Sequence, residues 1–385
     1  MKNFSFQNPV KIIFGKDTIK DIAKEIPSGS KVLVTYGGGS IKKNGVYDQV
    51  VKALSEFDLH EFSGIEANPH YETCMEAVKL IKEKKIDYVL AVGGGSVIDA
   101  TKFIVAAACF EDGDPWQILS KGSEIKKALP FGTVLTISAT GSEMNNGAVI
   151  TRAETQDKLA FASKYVFPKF SVLDPEVTFS LPEKQIGNGV VDAFVHIIEQ
   201  YLTYSKEDTL MQDLWAESLL KTLITEGPKA LRNPKDYDVR ANLMWASTWA
   251  LNNWISCGTD QDWATHRIGH ELTAFYGLDH AQTLAIVLPG LMIVQKEQKA
   301  KKIVRLGKYV FGFTASTDNE IIDQTVKLVE SFFEEMGVKT RLSDYNLGDE
   351  TIKRVQKRLN ERGWKLGECQ NVTGDVAAQI LDLRR

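Results

Sequence analysis

The 385-residue sequence contains only six histidines and four cysteines. The cysteines (Cys74, Cys109, Cys257, Cys369) are widely scattered and form no CxxC pair, which argues against a disulfide framework and fits ordinary cytosolic usage. The longest apolar run, 103–110, falls far short of the ~20 residues needed to cross a bilayer. The first residues, MKNFSFQNPVKIIFG, lack the uninterrupted apolar stretch of a signal peptide. Neither sign of charge dominates: 46 Lys+Arg stand against 50 Asp+Glu, and a net charge of −4 gives no electrostatic reason to expect nucleic acid or an acidic membrane surface. With 43% hydrophobic and 25% charged residues the chain is neither disordered nor fibrous. The expectation is a soluble cytoplasmic protein, long enough for two domains.

What is present is organised in two textures. Over roughly the first 175 residues, short β-rich runs alternate with helical patterns. KVLVTY (31–36) stops at Gly37-Gly38-Gly39-Ser40, and IDYVLAV (86–92) stops at Gly93-Gly94-Gly95-Ser96. Val46, Val50 and Leu54 recur at helical spacing, 72–84 reads as a helix, and 130–138 and 168–175 read as buried strands. Strand, glycine turn and helix in repetition predict an α/β domain with a largely parallel sheet. After Pro175 the texture changes: 183–385 contain no convincing strand and many long helical windows, such as 189–204, 208–226, 239–256 and 319–336. Six of the seven tryptophans lie in this half, where they predict packing between helices. Prolines at 175 and 182 mark the change, so the expected domains are 1–180 and 181–385.

A strand that ends in glycines and feeds a helix aims backbone N–H groups and a positive helix end at an anion. Glycine is needed because a Cβ would keep a pyrophosphate from the backbone. Two such turns raise the prospect of a dinucleotide, although neither extends to GxGxxG and neither carries the Lys-Ser/Thr of a P-loop. The first turn has no acidic residue, which would bind a ribose 2′-hydroxyl but repel a 2′-phosphate, and Lys42 and Lys43 follow it. This favours NADP(H) over NAD(H), unless both lysines are simply solvated.

Four of the six histidines fall between 196 and 280. Asp192 and His196 stand i, i+4 in GVVDAFVHIIEQYL, a segment apolar enough to be a buried helix. Burying both without partners would cost several kcal/mol, so either a metal or a mutual hydrogen bond must satisfy them. The segment 262–290 adds His266 and His270 on one helix face and His280 after a Gly-Leu-Asp turn. One carboxylate with imidazoles suits Fe(II) or Zn(II) rather than Mg or Ca. Three histidines complete four ligands, so one of the second cluster is left over, and spacing alone does not say which.

Taken together, GGGSVIDATK (93–102), ISATGSEMN (137–145), VVDAFVH (190–196) and DWATHRIGHELTAFYGLDHAQTLAIVLP (262–289) resemble the iron-containing, or group III, alcohol dehydrogenase family over essentially the whole chain. Within it the sequence is most similar to bacterial NADPH-dependent aldehyde reductases and butanol dehydrogenases. The resemblance implies an α/β N-terminal Rossmann-like dinucleotide-binding domain followed by an all-α C-terminal domain. It implies Asp192, His196, His266 and His280 as ligands of one divalent metal, Fe2+ or Zn2+, with His270 in proton relay and Asp99 as an acid close to the active site. It places Gly37, Gly38, Gly39 and Ser40 around the adenosine ribose, where a glycine in place of an acid agrees with NADP. Gly94, Gly95 and Ser96 would hold the pyrophosphate, and Thr136, Ser138, Asn145 and Lys158 would line the cofactor. The implied activity is hydride transfer between NADP(H) and a short-to-medium aldehyde or primary alcohol, by a homodimer with no nucleic-acid or membrane partner. A cyclising lyase resembling dehydroquinate synthase would also combine a dinucleotide with a metal, but it calls for a basic cluster that the ligand segments lack. A metal-dependent hydrolase, or a nonenzymatic metal-binding module, would leave the glycine turns without a purpose.

Overall fold

The computed structural model describes residues 1–204, 208–315 and 317–385. They form two compact units: one comprises Gln7–Leu181 with Pro234–Thr248, the other Met1–Phe6, Pro182–Asn233 and Trp249–Arg385. Two stretches therefore cross a single cut of the chain near residue 180: the first six residues join the later unit, and most of the Tyr237–Ala250 helix joins the earlier one. Trp245 goes with the earlier unit, so tryptophan content alone does not mark the division.

The first unit is built on a six-stranded sheet of β1 (Lys11–Phe14), β2 (Lys31–Tyr36), β3 (Asp58–Phe62), β4 (Tyr88–Gly93), β5 (Phe131–Leu135) and β8 (Phe170–Leu173). The order is β1-β8-β5-β4-β2-β3 and every pairing is parallel. The period of two separates two cores. Leu33, Val89, Ala91, Phe131 and Leu135 face one side, with Ala77, Val78 and Ile81 of the Tyr71–Lys84 helix and Phe103 of the Gly95–Ala107 helix. Val32, Val34, Leu90, Val92 and Val134 face the other, with Ile19, Ile22, Val46 and Val50. Cover on both faces is why the central strands read as continuous apolar runs rather than alternating ones.

Two edge strands carry weaker signals. β3 is short and half-exposed, and β1 is four residues long with both ends exposed. A separate antiparallel hairpin, β6 (Gly147–Arg152) and β7 (Asp157–Ala162), was also not expected. Its turn, Ala153-Glu154-Thr155-Gln156, holds no glycine, asparagine or proline, and Gln156 takes the left-handed conformation usually reserved for glycine (φ 52°).

The second unit is helical. Among the described residues its β pairing is limited to an isolated bridge between Leu366 and Val372. The Glu183–Tyr201 helix is almost wholly buried from Gly189 onward. At Gly187 a Cβ would lie 2.0 Å from the Met336 carbonyl oxygen, so glycine lets that chain segment pack directly on the helix. The Ala264–Tyr276 and His280–Val294 helices pack against each other and carry the histidine segment.

Candidate functional site

In the helical unit, one donor atom from each of Asp192, His196, His266 and His280 lies within 4.8 Å of every other. Three segments supply them. Asp192 and His196 sit one turn apart on the Glu183–Tyr201 helix. His266 lies in the first turn of the Ala264–Tyr276 helix. His280 opens the His280–Val294 helix after Gly277, whose left-handed φ of 69° ends the preceding helix and reverses the chain. That reversal is held in place: the Asp279 N–H donates to Gln282 Oε1 at 3.0 Å, and Asp279 accepts from Asn188 (3.1 Å) and pairs with Lys184 (2.8 Å).

Asp192 Oδ1 is 3.6 Å from His196 Nδ1 and 3.5 Å from His280 Nε2. These spacings are too long for hydrogen bonds and close to the ~3.4 Å edge of a tetrahedron with metal–donor bonds of about 2.1 Å. A mutual hydrogen bond between Asp192 and His196 is therefore not what satisfies the pair. His196 Nδ1 is buried without a hydrogen-bond partner, and burial pulls the ring's pKa down to about 4 against the raising effect of Asp192. A buried, neutral imidazole beside a carboxylate is what a divalent cation requires. The donor set fits Fe(II) or Zn(II). His270 is the histidine left outside the group, its ring centre 5.5 Å from that of His280 and 6.4 Å from that of His266.

Sequence reasoning did not single out Glu199. It lies on the ligand helix, its carboxylate 2.8 Å from His266 Nδ1, and it accepts the Thr265 and His266 backbone N–H groups at 2.9 and 3.1 Å. Burial pushes its carboxyl up to about 7, opposed by the N–H groups of His266 and Thr265. Beside it Asp262 caps the Ala264 N–H (2.9 Å) and meets Lys299 at 2.5 Å, and Lys299 also binds Glu368. Burial works against the Lys299 charge, but Asp262 and Glu368 keep it protonated. An acid inside so apolar a helix was the available signal for Glu199.

In the α/β unit, the two glycine turns are neighbours. Tyr36 pairs with Val92, so the carboxyl ends of β2 and β4 lie side by side. The chain leaves β2 for β3 on one flank and returns to β4 on the other, which makes this the switch point where α/β sheets bind ligands. The turns differ, however. The first leads only into the four-residue Ser40–Lys43 helix, and the second into the thirteen-residue Gly95–Ala107 helix. Lys42 is exposed but engaged, 3.2 Å from Glu61 and 4.3 Å over the Tyr47 ring. Its hydrogen bonds to Tyr36 and Glu61 push its pKa upward. Glu61, at the end of the neighbouring strand, also accepts from Tyr36 (2.7 Å) and Tyr47. Lys43 is exposed.

Behind the second turn lies a polar network that the sequence did not reveal. Lys102 is fully buried and donates to Ser142 (2.8 Å), Asn145 (2.7 Å) and the Gly147 carbonyl (2.8 Å). Burial pulls its pKa down to about 8, with Asp99 opposing. Asp99 accepts from Ser142 (2.6 Å) with one oxygen and from the Val149 N–H of β6 (2.8 Å) with the other, so it ties both the 142–144 turn and β6 to the helix; burial raises its pKa. Thr136 is buried with its N–H on the Gly93 carbonyl (3.0 Å), Ser138 is half-buried, and Lys158 reaches Asn68 at 2.8 Å.

A sheet with a nucleotide-type switch point and a helical unit with an Asp/His3 donor set define a metal-dependent, dinucleotide-using enzyme class. The family model for iron-containing alcohol dehydrogenase matches residues 9–175, and that for the C-terminal part of the same family matches 187–381. The chain belongs to the iron-containing alcohol dehydrogenase family. It is 53% identical to the NADPH-dependent aldehyde reductase YqhD of Escherichia coli, with all of both chains covered. It is 40% identical to NADH-dependent butanol dehydrogenase B of Clostridium acetobutylicum, over 99% of each. The crystal structure of YqhD superposes with a TM-score of 0.98, covering 100% of this chain and 99% of that one. The cyclising-lyase and hydrolase readings are not favoured by these relatives.

Proposed function

We propose that this chain is a metal-dependent aldehyde reductase and alcohol dehydrogenase that moves hydride between NADP(H) and short-to-medium aldehydes or primary alcohols. The observation that carries the reading is the convergence of Asp192, His196, His266 and His280 in a chain that also sets two glycine turns at a sheet switch point. Those four residues would hold one Fe2+ or Zn2+. When bound, that ion supplies a Lewis acid for the carbonyl oxygen.

The remaining work falls to the chain itself. The backbone of Gly94, Gly95 and Ser96, at the start of the long helix, is suited to the pyrophosphate. Gly37, Gly38, Gly39 and Ser40 are suited to the adenosine ribose, with Thr136, Ser138, Asn145 and Lys158 along the cofactor. Lys102 orients Asn145, and Asp99 holds Ser142, which supports a positioning role for Asp99 rather than proton transfer. The position of His270 beside the donor group supports a role for it in delivering a proton to the product oxygen. Preference for NADP(H) is supported by the missing acid in the first turn and by the NADPH-dependent relative; the engagement of Lys42 by Glu61 leaves Lys43 and Ser40 as the free polar groups for a 2′-phosphate. Cytoplasmic location is supported by four free cysteines, and a homodimer by the prevalence of twofold assemblies.

The test is consumption of NADPH with butanal, with and without a chelator. Metal-dependent loss of reduced-nicotinamide absorbance is expected. Turnover by verified metal-free protein would reject the scheme, and a higher kcat/KM with NADH than with NADPH would reject the cofactor assignment.

A further inference from the structure

We propose that Glu199 is the positioning residue for the metal site: it fixes His266 as the Nδ1–H tautomer, so that Nε2 is the nitrogen presented to the ion. The inference rests on the metal reading above. Its basis is geometric. Glu199 stands three residues after His196 and seven after Asp192, on the same face of the Glu183–Tyr201 helix. One helix thus carries two donors and the support of a third. The Glu199 Oε2 atom lies 2.8 Å from His266 Nδ1. Both Glu199 oxygens already accept backbone N–H groups at this helix start, which favours the ionised acceptor form, so the ring donates from Nδ1 and its other nitrogen keeps the lone pair.

Glu199 cannot swing away to serve another partner. Its Oε1 accepts the Thr265 N–H and its Oε2 the His266 N–H, two of the donors that a helix start leaves unsatisfied. Asp262 takes a third, that of Ala264. The residue before this helix, Trp263, is in the left-handed conformation (φ 63°) and provides no side-chain cap of its own. The carboxylate therefore performs two tasks with one placement: it closes the helix start onto the ligand helix, and it sets the angle of the first imidazole on that helix. Outer carboxylates that hold a ligating histidine in this way contribute about 10–100-fold to metal affinity.

Glu199→Gln tests this, because glutamine keeps the shape but brings an NH2 group toward donors and removes the charge. On protein that binds NADPH as wild type does, metal affinity measured by chelator competition with Zn2+ should fall about 10–100-fold. An affinity within about twofold of wild type would overturn the proposal. A second measurement needs no variant: in zinc-loaded wild-type protein, 15N resonances of histidine should show His266 protonated at Nδ1 and metal-bound at Nε2. Protonation at Nε2 would overturn the proposal even if Glu199→Gln failed to fold. Failure of the underlying metal reading looks different: zinc stoichiometry would then be unchanged in His266→Ala.

Discussion

At the scale of single residues, the histidines divide by task. His266→Ala should remove metal and turnover together, checked by metal analysis of protein purified without added metal. His270→Ala should lower kcat by roughly 10²–10⁴ and leave metal content intact. Loss of metal in that variant would make His270 a ligand and displace one of the four. Lys102 predicts a pH effect of known sign. Its folded pKa of about 8 lies below its ordinary 10.5. Below about 8 both native and unfolded chains hold the proton, and the cost of burying the charge is present in full. Between about 8 and 10.5 the unfolded chain holds a proton that the native chain has released, so stability rises with pH. Relative to Lys102→Met, cofactor-free wild type should gain about 2 kcal/mol in denaturant-derived stability between about pH 7 and 9.5. A constant difference across that range would show that Lys102 titrates normally.

At the scale of elements, the two glycine turns separate packing from binding. At Gly95 a Cβ would sit 2.4 Å from Thr140 Oγ1, so Gly95→Ala should cost about 1–3 kcal/mol by crowding the turn, read as a lower Tm in cofactor-free protein. At Gly38 nothing stands within 4 Å of a Cβ. Gly38→Ala should therefore leave stability within about 0.5 kcal/mol and weaken NADPH binding in a fluorescence titration. Wild-type affinity there would mean that the first turn does not approach the cofactor. The repeated strand, glycine turn and helix were visible in the sequence because apolar runs ended sharply at glycine clusters. β3 and the β6–β7 hairpin were not visible, since β3 is half-exposed and the hairpin turns without glycine.

At the scale of the whole molecule, the donor group and the glycine turns belong to different units of the chain. Removing the metal should therefore abolish turnover while leaving NADPH affinity nearly unchanged in a direct binding titration. Rebinding should raise unfolding stability by about 4 kcal/mol when free metal is ~1,000 times its Kd. A large loss of NADPH affinity on chelation would show that the metal and the cofactor are energetically coupled.

Local pattern in the sequence was enough for the α/β and helical textures, the glycine turns, and Asp192 with His196 on one helix face, because each depends on spacing within a few residues. Which of His266, His270 and His280 would join them depended on a chain reversal at Gly277 and the anchoring of Asp279 by Lys184 and Asn188, contacts across more than ninety residues. The same holds for Glu199 behind His266 and Lys102 beneath Asn145. A buried charge is explained only by the groups that surround it, and those are assembled by tertiary packing alone.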